Sequence, residues 1–260
     1  MANEVGGRTD KNGNRYEMNC IIKAILDVVD EKISSCMFEG LGNDEIATDI
    51  IVTNFDGSRK YIQCKHRNGS NDNWTFSGLK SYNLLKRWKT HLDGDQSSIV
   101  SLQSPIPFTI LTDLSKRAKN NNGDVNAFYD NQIKNSKKTF VDFKKYCSEL
   151  DLDYENIVDV QKAMNYLKRT EVEDMSDNII RDYLFMHIKL LFLGESESNY
   201  EKILDLICNE EIMGVDIDKQ FLFNFFNKNN IILNNLSNNS SNFDNIENLN
   251  SIFKKSIKLI

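Results

Sequence analysis

One predicted hairpin constrains the fold of this chain more than any other stretch. The segment DIIVTNFDGSRKYIQCKH, residues 49–66, contains two runs rich in β-branched and aromatic residues. Asp56-Gly57 separates the runs, and an Asp-Gly pair in such a position is a strong hairpin signal. The sequence therefore predicts two antiparallel strands that meet at this turn.

Counting outward from the turn places three polar residues together. Asp49 lies seven residues before Asp56, and Gln63 lies six residues after Gly57. Hairpin pairing then brings Asp49 close to Gln63 and Lys65. Because side chains alternate along a strand, Gln63 and Lys65 point to the same face.

The rest of the chain predicts an α/β fold. Apolar residues recur at three- and four-residue steps over residues 14–35 and predict a helix, preceded by a turn or flexible entry in GGRTDKNGNRYE. A short strand is predicted over residues 36–41, a helix from Thr75, and a buried strand over Pro107–Leu114. Helical patterns dominate from about Val125 onward.

A charged stretch, KRTEVEDMSDN, divides these elements near residues 165–178. We predict an α/β domain over residues 1–165 and a helical region for assembly or partner docking over residues 166–260. The run IIRDYLFMHIKLLFLG, residues 179–194, is apolar over most of its circumference as a helix, which requires burial on several sides. Burial in the chain's own core and burial in an assembly surface both satisfy this requirement.

Several classes of protein are disfavoured by composition. The chain has 260 residues and five cysteines, far apart and with no C-x-x-C pair, so neither a disulfide framework nor a thiolate zinc site is expected. No apolar run reaches the roughly 18 residues that span a membrane, and the N-terminus has no signal-peptide core. No phosphate-binding P-loop motif occurs. We expect a cytoplasmic protein that has no membrane partner.

The three polar residues of the hairpin fit one kind of chemistry. Carboxylate and amide oxygens are suitable ligands for a hard cation such as Mg²⁺. A lysine beside that cation stabilises charge that builds on a phosphate. The combination indicates phosphodiester hydrolysis. The alternative interpretation is structural, with Asp49 capping a strand end, Gln63 exposed on its strand and Lys65 extending to solvent.

The pattern Asp49, then Gln63-Cys64-Lys65, resembles the PD-(D/E)XK endonuclease superfamily, in which an acid on one strand precedes a (D/E/Q)-x-K on the next. Together with GGRTDKNGNRYE and the helix after it, the chain looks like the double-stranded-DNA endonuclease domain of bacterial antiphage systems. These domains are the effector nucleases of CBASS, Avs-type and Lamassu systems. The resemblance covers roughly residues 5–150 and implies a restriction-endonuclease-like core, a mixed sheet flanked by helices.

The resemblance also implies roles for individual residues. Asp49 would be the principal ligand of Mg²⁺, or of Mn²⁺ in its place, and Lys65 would be the catalytic lysine. Gln63 and the Cys64 backbone carbonyl would complete the metal site, and Glu17 on the first helix would be a further ligand. Glu39 is a weaker candidate for the same role as Glu17.

Basic residues concentrate beside the candidate site. Residues 59–91 carry eight Lys and Arg and one acid, about +7 in a chain whose net charge is −6. Such a basic stretch is typical of phosphate contacts with DNA, although a solvated helix face gives the same pattern. The predicted DNA-binding residues are Lys60, His66, Arg67, Lys80, Lys86, Arg87 and Lys89.

The sequence leaves two other functions open. One is a catalytically inactive nuclease-fold module for DNA binding or assembly, and the other is an RNase of the same fold. For the nuclease, two sites are needed to cut both strands, so we expect a homo-oligomer. Activity would be controlled by that assembly or by a sensor or ATPase subunit, for example an SMC-like partner, or by a fused sensor domain.

Overall fold

The predicted hairpin lies in the middle of a mixed β-sheet. The structure, a computed structural model, describes residues 5–40, 48–66, 72–208 and 212–234, with side chains from residue 14 onward. Strand β2 (Ile50–Thr53) pairs antiparallel with β3 (Arg59–Cys64), and Ile50 lies opposite Ile62. This register confirms the predicted hairpin.

Four further strands complete the sheet: β1 (Ser35–Phe38), β4 (Ile99–Ser104), β5 (Thr170–Asp174) and β6 (Ile217–Asp218). The spatial order of the strands is β5-β4-β3-β2-β1-β6. Strands β3, β4 and β5 run parallel to one another, whereas the other neighbouring pairs are antiparallel. The described residues therefore form a mixed sheet, as predicted.

Helices connect the strands and cover both faces of the sheet. They are α1 (Val5–Val29), α2 (Phe76–Lys80), α3 (Leu84–Gly94), α4 (Thr109–Lys119), α5 (Val125–Ala127), α6 (Lys137–Glu149), α7 (Ile157–Lys168), α8 (Asp177–Leu191), α9 (Ser196–Ile207) and α10 (Lys219–Lys228). A π-helical turn over Phe128–Ile133 continues α5.

The alternation of side chains along the central strands divides the core into two clusters. On one face, Ile51, Tyr61 and Leu102 pack with apolar residues of α3, α4, α6 and α7. On the other face, Val52 and Ile62 pack with apolar residues of α1, α8, α9 and α10. The sheet is thus buried on both sides, and polar side chains at its edges and strand ends remain available for chemistry.

The strand predicted over Pro107–Leu114 is wrong, because helix α4 begins at Thr109. Leu111, Leu114 and Ala118 are buried in α4 at the spacing of one helix face. The sheet instead takes β4 from residues 99–104, which sequence patterns did not identify. Polar residues conceal this strand, since Ser101, Gln103 and Ser104 are all buried in it.

Two helix boundaries also differ from the prediction. Helix α1 begins at Val5, so GGRTDKNGNRYE belongs to the helix rather than to a turn. Each glycine in a helix costs about 1 kcal/mol relative to alanine, and the buried face of the later turns of α1 offsets this cost. The single helix predicted from Thr75 is two helices, α2 and α3, because Asn83 between them has a left-handed φ of 51°.

The charged stretch chosen for the domain boundary is part of the sheet. Strand β5 lies within it and pairs with β4, with Thr170 opposite Val100. Strand β6, from the same predicted region, pairs with β1 at the opposite edge. The region 166–260 is therefore not purely helical, although the domain division itself stays a prediction.

Candidate active site

The register of the hairpin brings Asp49 next to the Gln63-Cys64-Lys65 run. The Asp49 backbone N–H donates to the Ile62 carbonyl at 2.9 Å, which continues the strand pairing by one residue. Asp49 Oδ2 then accepts hydrogen bonds from the Cys64 backbone N–H at 2.6 Å and from Gln63 Nε2. These two donors fix the orientation of the carboxylate at the end of β3.

Glu17 on helix α1 belongs to the same electrostatic cluster. Burial raises the pKa of its carboxyl to about 7, and the negative charge of Asp49 contributes to this rise, against an opposing effect of Lys65. Burial likewise raises the pKa of Asp49, while the charge of Lys65 and the two hydrogen bonds lower it. The charge of Asp49 thus opposes ionisation of the Glu17 carboxyl, and a cation beside the two acids would favour the ionised form of both.

Glu39 adds negative charge to this cluster. Its backbone has a left-handed φ of 49°, and its N–H donates to the Asp49 carbonyl at 3.2 Å. Its charge raises the pKa of both Glu17 and Asp49. The weaker of the two predicted accessory acids is therefore also near the site.

The donor set fits a hard divalent cation better than a soft one. Asp49 and Glu17 supply carboxylate oxygens, and Gln63 and the Cys64 carbonyl supply neutral oxygens, which are the ligand types of Mg²⁺. The described residues contain no group of three or more His, Cys, Asp or Glu side chains arranged to hold a metal. Mg²⁺ usually binds through one or two carboxylates and retains several waters.

The thiol of Cys64 takes no part in this arrangement. It is buried on the opposite face of β3, where a hydrogen bond with the Cys20 thiol and burial raise its pKa. A thiol in this state stays protonated and behaves as a small apolar side chain. Of Cys64, the backbone faces Asp49, and its role in holding a metal stays a prediction.

Lys65 reaches an aromatic ring that sequence reasoning did not single out. Its ammonium lies 5.2 Å from the centroid of the Tyr82 ring. Tyr82 is in the turn between α2 and α3, and 47% of its surface is exposed. The sequence gives only a weak signal for this contact, since polar Ser81 and Asn83 flank Tyr82 but buried leucines lie close on both sides.

Lys60, one of the predicted DNA-binding residues, is already paired with two acids. Its side chain is directed across β4 and forms ion pairs with Glu171 at 2.7 Å and Glu173 at 2.5 Å. Burial disfavours the ammonium form, but the charges of Glu173 and Glu171 outweigh this effect and raise the pKa of Lys60. Contact with a phosphate would require breaking both pairs, which disfavours a DNA contact at Lys60, and that role stays a prediction.

His66 is held inside the protein. Its Nε2 lies 3.0 Å from an Asp177 carboxylate oxygen at the start of α8, and its ring lies 5.9 Å from that of Tyr16. Only 9% of its side chain is exposed, which leaves little surface for DNA. Arg67, the next predicted contact, lies outside the described residues.

The remaining predicted contacts lie on or near α3, beside an acidic loop. Lys86 pairs with Asp151 at 2.6 Å, and the Lys89 ammonium donates to the Leu150 carbonyl at 3.0 Å. Lys80 is 72% exposed at its side chain and lies 3.9 Å from Glu149. Arg87 is exposed. The surface is basic, but part of its charge is already compensated by residues 149–151.

Among the described residues, no helix combines the length and the apolar character that crossing a membrane requires.

Comparisons with known proteins identify structural neighbours of low similarity. No family model and no curated protein matches the sequence. The Acinetobacter baumannii Cap4 SAVED/CARF-domain containing receptor aligns with a TM-score of 0.46 and 15% identity, over 82% of this chain and 46% of that one. The corresponding Moraxella osloensis receptor aligns with a TM-score of 0.45 and 15% identity, over 83% and 48%. This chain spans about half the length of these receptors, and likeness at this level carries no argument about its activity.

Proposed function

We propose that this chain is a metal-dependent endonuclease that hydrolyses double-stranded DNA. The observation that carries the proposal is the Asp49 carboxylate, oriented by Gln63 and Cys64, with Glu17 and Lys65 in the same electrostatic cluster. A structural ion pair would need only one acid and one lysine. The second acid has a carboxyl pKa raised to about 7 and costs stability at neutral pH, which a cation would recover.

Each residue has a defined task in this proposal. Asp49, Glu17, the Gln63 amide oxygen and the Cys64 carbonyl hold Mg²⁺, or Mn²⁺ in its place. The bound cation would make a coordinated water more acidic and neutralise charge on the phosphate. Lys65 stabilises the negative charge that develops on the phosphate oxygens. Glu17 must lose its proton to become a ligand, so cation binding is expected to strengthen as the pH rises towards about 7.

The choice of DNA rests on the exposed basic residues of α3 and on the Asp49…Gln63-x-Lys65 pattern. That pattern resembles the PD-(D/E)XK superfamily, and the mixed sheet with flanking helices is compatible with its restriction-endonuclease-like core. The same resemblance supports a role as effector of a bacterial antiphage system. In that role, self-association or a sensor or ATPase partner would limit the activity, since free cleavage of DNA would harm the host.

Cleavage of a supercoiled plasmid tests the proposal. Asp49→Asn and Lys65→Met are each expected to lower the rate with Mg²⁺ by about 100-fold or more, the usual effect of removing one preorganised charge from a hydrolytic site. Asp56→Asn at the exposed hairpin tip and Lys145→Met on α6 are matched controls that remove the same charges elsewhere. Gln63→Ala is expected to have a smaller effect than Asp49→Asn. Cleavage by both site variants at the wild-type rate would refute the proposal.

The same assay separates the two alternatives. Cleavage of RNA but not of DNA, with loss in the same two variants, would identify an RNase. Binding of DNA without cleavage of either substrate, together with no calorimetric signal for Mg²⁺ or Mn²⁺, would identify an inactive nuclease-fold module.

A further inference from the structure

The segment before the α2–α3 turn is anchored to the end of the sheet by a hydrogen bond and buried side chains. Trp74 is buried and donates from Nε1 to Ser104 Oγ at 2.7 Å, at the last residue of β4. Phe76 and Leu79 of α2 are also buried, and the Thr75 hydroxyl caps the helix through the Gly78 N–H at 3.1 Å. The backbone of Trp74 and α2 is thus held near the end of β4, which is the same end of the sheet at which β3 ends.

The contacts of Trp74 and α2 determine where the Tyr82 ring lies. The Tyr82 N–H donates to the Leu79 carbonyl at 3.1 Å, and the Asn83 N–H donates to the Lys80 carbonyl at 2.9 Å. Asn83 then takes a left-handed conformation with φ of 51°, which separates α2 from α3. Tyr82 stands at this corner, where an aromatic side chain gains little from burial. Its 47% exposure leaves one part of the ring open to solvent and directs the rest to Lys65.

The charges around Lys65 explain why its contact with the Tyr82 ring matters. Within the described residues, the Lys65 ammonium has no carboxylate within ion-pair distance, although Asp49 and Glu17 both interact with its charge. A lysine free to turn onto those carboxylates would occupy the position of a cation. The ring face attracts the ammonium through its quadrupole and offers a competing position on the open side of the cluster.

We infer that Tyr82 is a positioning residue, which holds the Lys65 ammonium by its ring face at the open side of the site, apart from the Asp49 and Glu17 carboxylates. The role in catalysis rests on the proposed nuclease function, whereas the placement of the lysine does not. The ring face, and not the hydroxyl, performs this task. Tyr82→Phe therefore preserves it, and Tyr82→Leu removes it while keeping an apolar side chain.

The placement is tested without any activity measurement. Lysines of the intact protein are reductively methylated with ¹³C-formaldehyde, and the Lys65 signal is identified in carbon–proton spectra by its absence in Lys65→Arg. The ring current of Tyr82 is expected to displace this signal upfield in the wild type and in Tyr82→Phe, and the displacement is expected to vanish in Tyr82→Leu. An unchanged Lys65 signal in Tyr82→Leu would overturn the inference.

Kinetics test the consequence. Tyr82→Leu is expected to lower kcat of plasmid cleavage by about 3- to 5-fold, the size of an exposed cation–π contact, with KM nearly unchanged. Tyr82→Phe is expected to keep the wild-type kcat. Equal losses in both variants, or a change in KM alone, would show that Tyr82 acts on the substrate and overturn the positioning role. Absence of cleavage by the wild type and of a calorimetric signal for Mg²⁺ or Mn²⁺, with the Lys65 signal displaced, would refute the nuclease proposal and still support the placement.

Discussion

The stability cost of Glu17 gives the sharpest physical prediction about the site. Burial and the nearby Asp49 charge raise the pKa of the Glu17 carboxyl from 4.5 to about 7. The folded protein therefore binds the proton more tightly than the unfolded chain, and stability is lost as the pH rises from about 4.5 through about 7. At about 1.36 kcal/mol per pH unit, the full loss is about 3 kcal/mol, an upper bound for this half-buried side chain.

Glu17→Gln removes the titrating group while keeping its shape. We expect the variant and the wild type to have nearly equal free energies of unfolding near pH 4, where the carboxyl is protonated in the folded state and largely protonated in the unfolded state. At pH 8 the variant is expected to be more stable by up to about 3 kcal/mol. Urea titrations across this pH range, in the absence of divalent cations, measure the difference directly.

A control and a second condition separate this effect from general changes in charge. Glu201→Gln, on the exposed surface of α9, removes one solvent-exposed carboxylate outside the predicted site. Addition of Mg²⁺ at pH 8 is expected to stabilise the wild type more than Glu17→Gln, because a ligand stabilises only the state that binds it. Parallel stability curves for the wild type and Glu17→Gln from pH 4 to pH 8 would refute the raised pKa of the Glu17 carboxyl.

Three further predictions concern the surroundings of the site. Lys60→Met is expected to lower the free energy of unfolding in urea by about 2–3 kcal/mol, because two partly buried glutamates lose their counter-charge. The same variant is expected to leave DNA affinity unchanged, and a large drop in affinity would contradict this. Arg87→Ala is expected to weaken DNA binding more than Lys86→Ala, since Lys86 already has an aspartate partner. Arg87→Ala is also expected to reduce the slope of log affinity against log salt concentration by about 1 for each phosphate that the variant no longer neutralises. Equal effects of the two variants would contradict this prediction. Met186→Lys combined with Leu190→Lys, both about 40% exposed on α8, is expected to lower the molar mass in light scattering if that face mediates self-association; a monomeric wild type would exclude it.

Sequence reasoning succeeded where the signal is local. An Asp-Gly turn and alternating apolar residues define the hairpin, and the register of the hairpin then brings Asp49 to Gln63 within one stretch of chain. The position of Glu17 near this cluster also agrees with the family resemblance. Their chemical roles stay predictions.

Sequence reasoning failed where the determining contact is distant or the strand is polar. Lys60 appears as one of several basic residues in sequence, but its partner Glu173 lies 113 residues away. No periodicity in residues 59–91 reveals that pairing. Strand β4 was missed because a strand buried on both faces usually reads as a continuous apolar run, whereas Ser101 and Gln103 are buried within this one.

The two edge strands have a consequence for how this chain can be recombined with others. Strand β5 and strand β6 both come from residues beyond 165, one at each margin of the sheet. A fragment that ends at residue 165 would contain the hairpin and Lys65. It would expose the edge of β4 that pairs with β5, and it would lack Glu171 and Glu173, the ion-pair partners of Lys60. An exposed strand edge promotes aggregation, because its unpaired N–H and C=O groups can pair with another chain. Exchange of the part that contains the hairpin between proteins, in nature or by design, is therefore expected to succeed only when residues 170–218 are transferred with it.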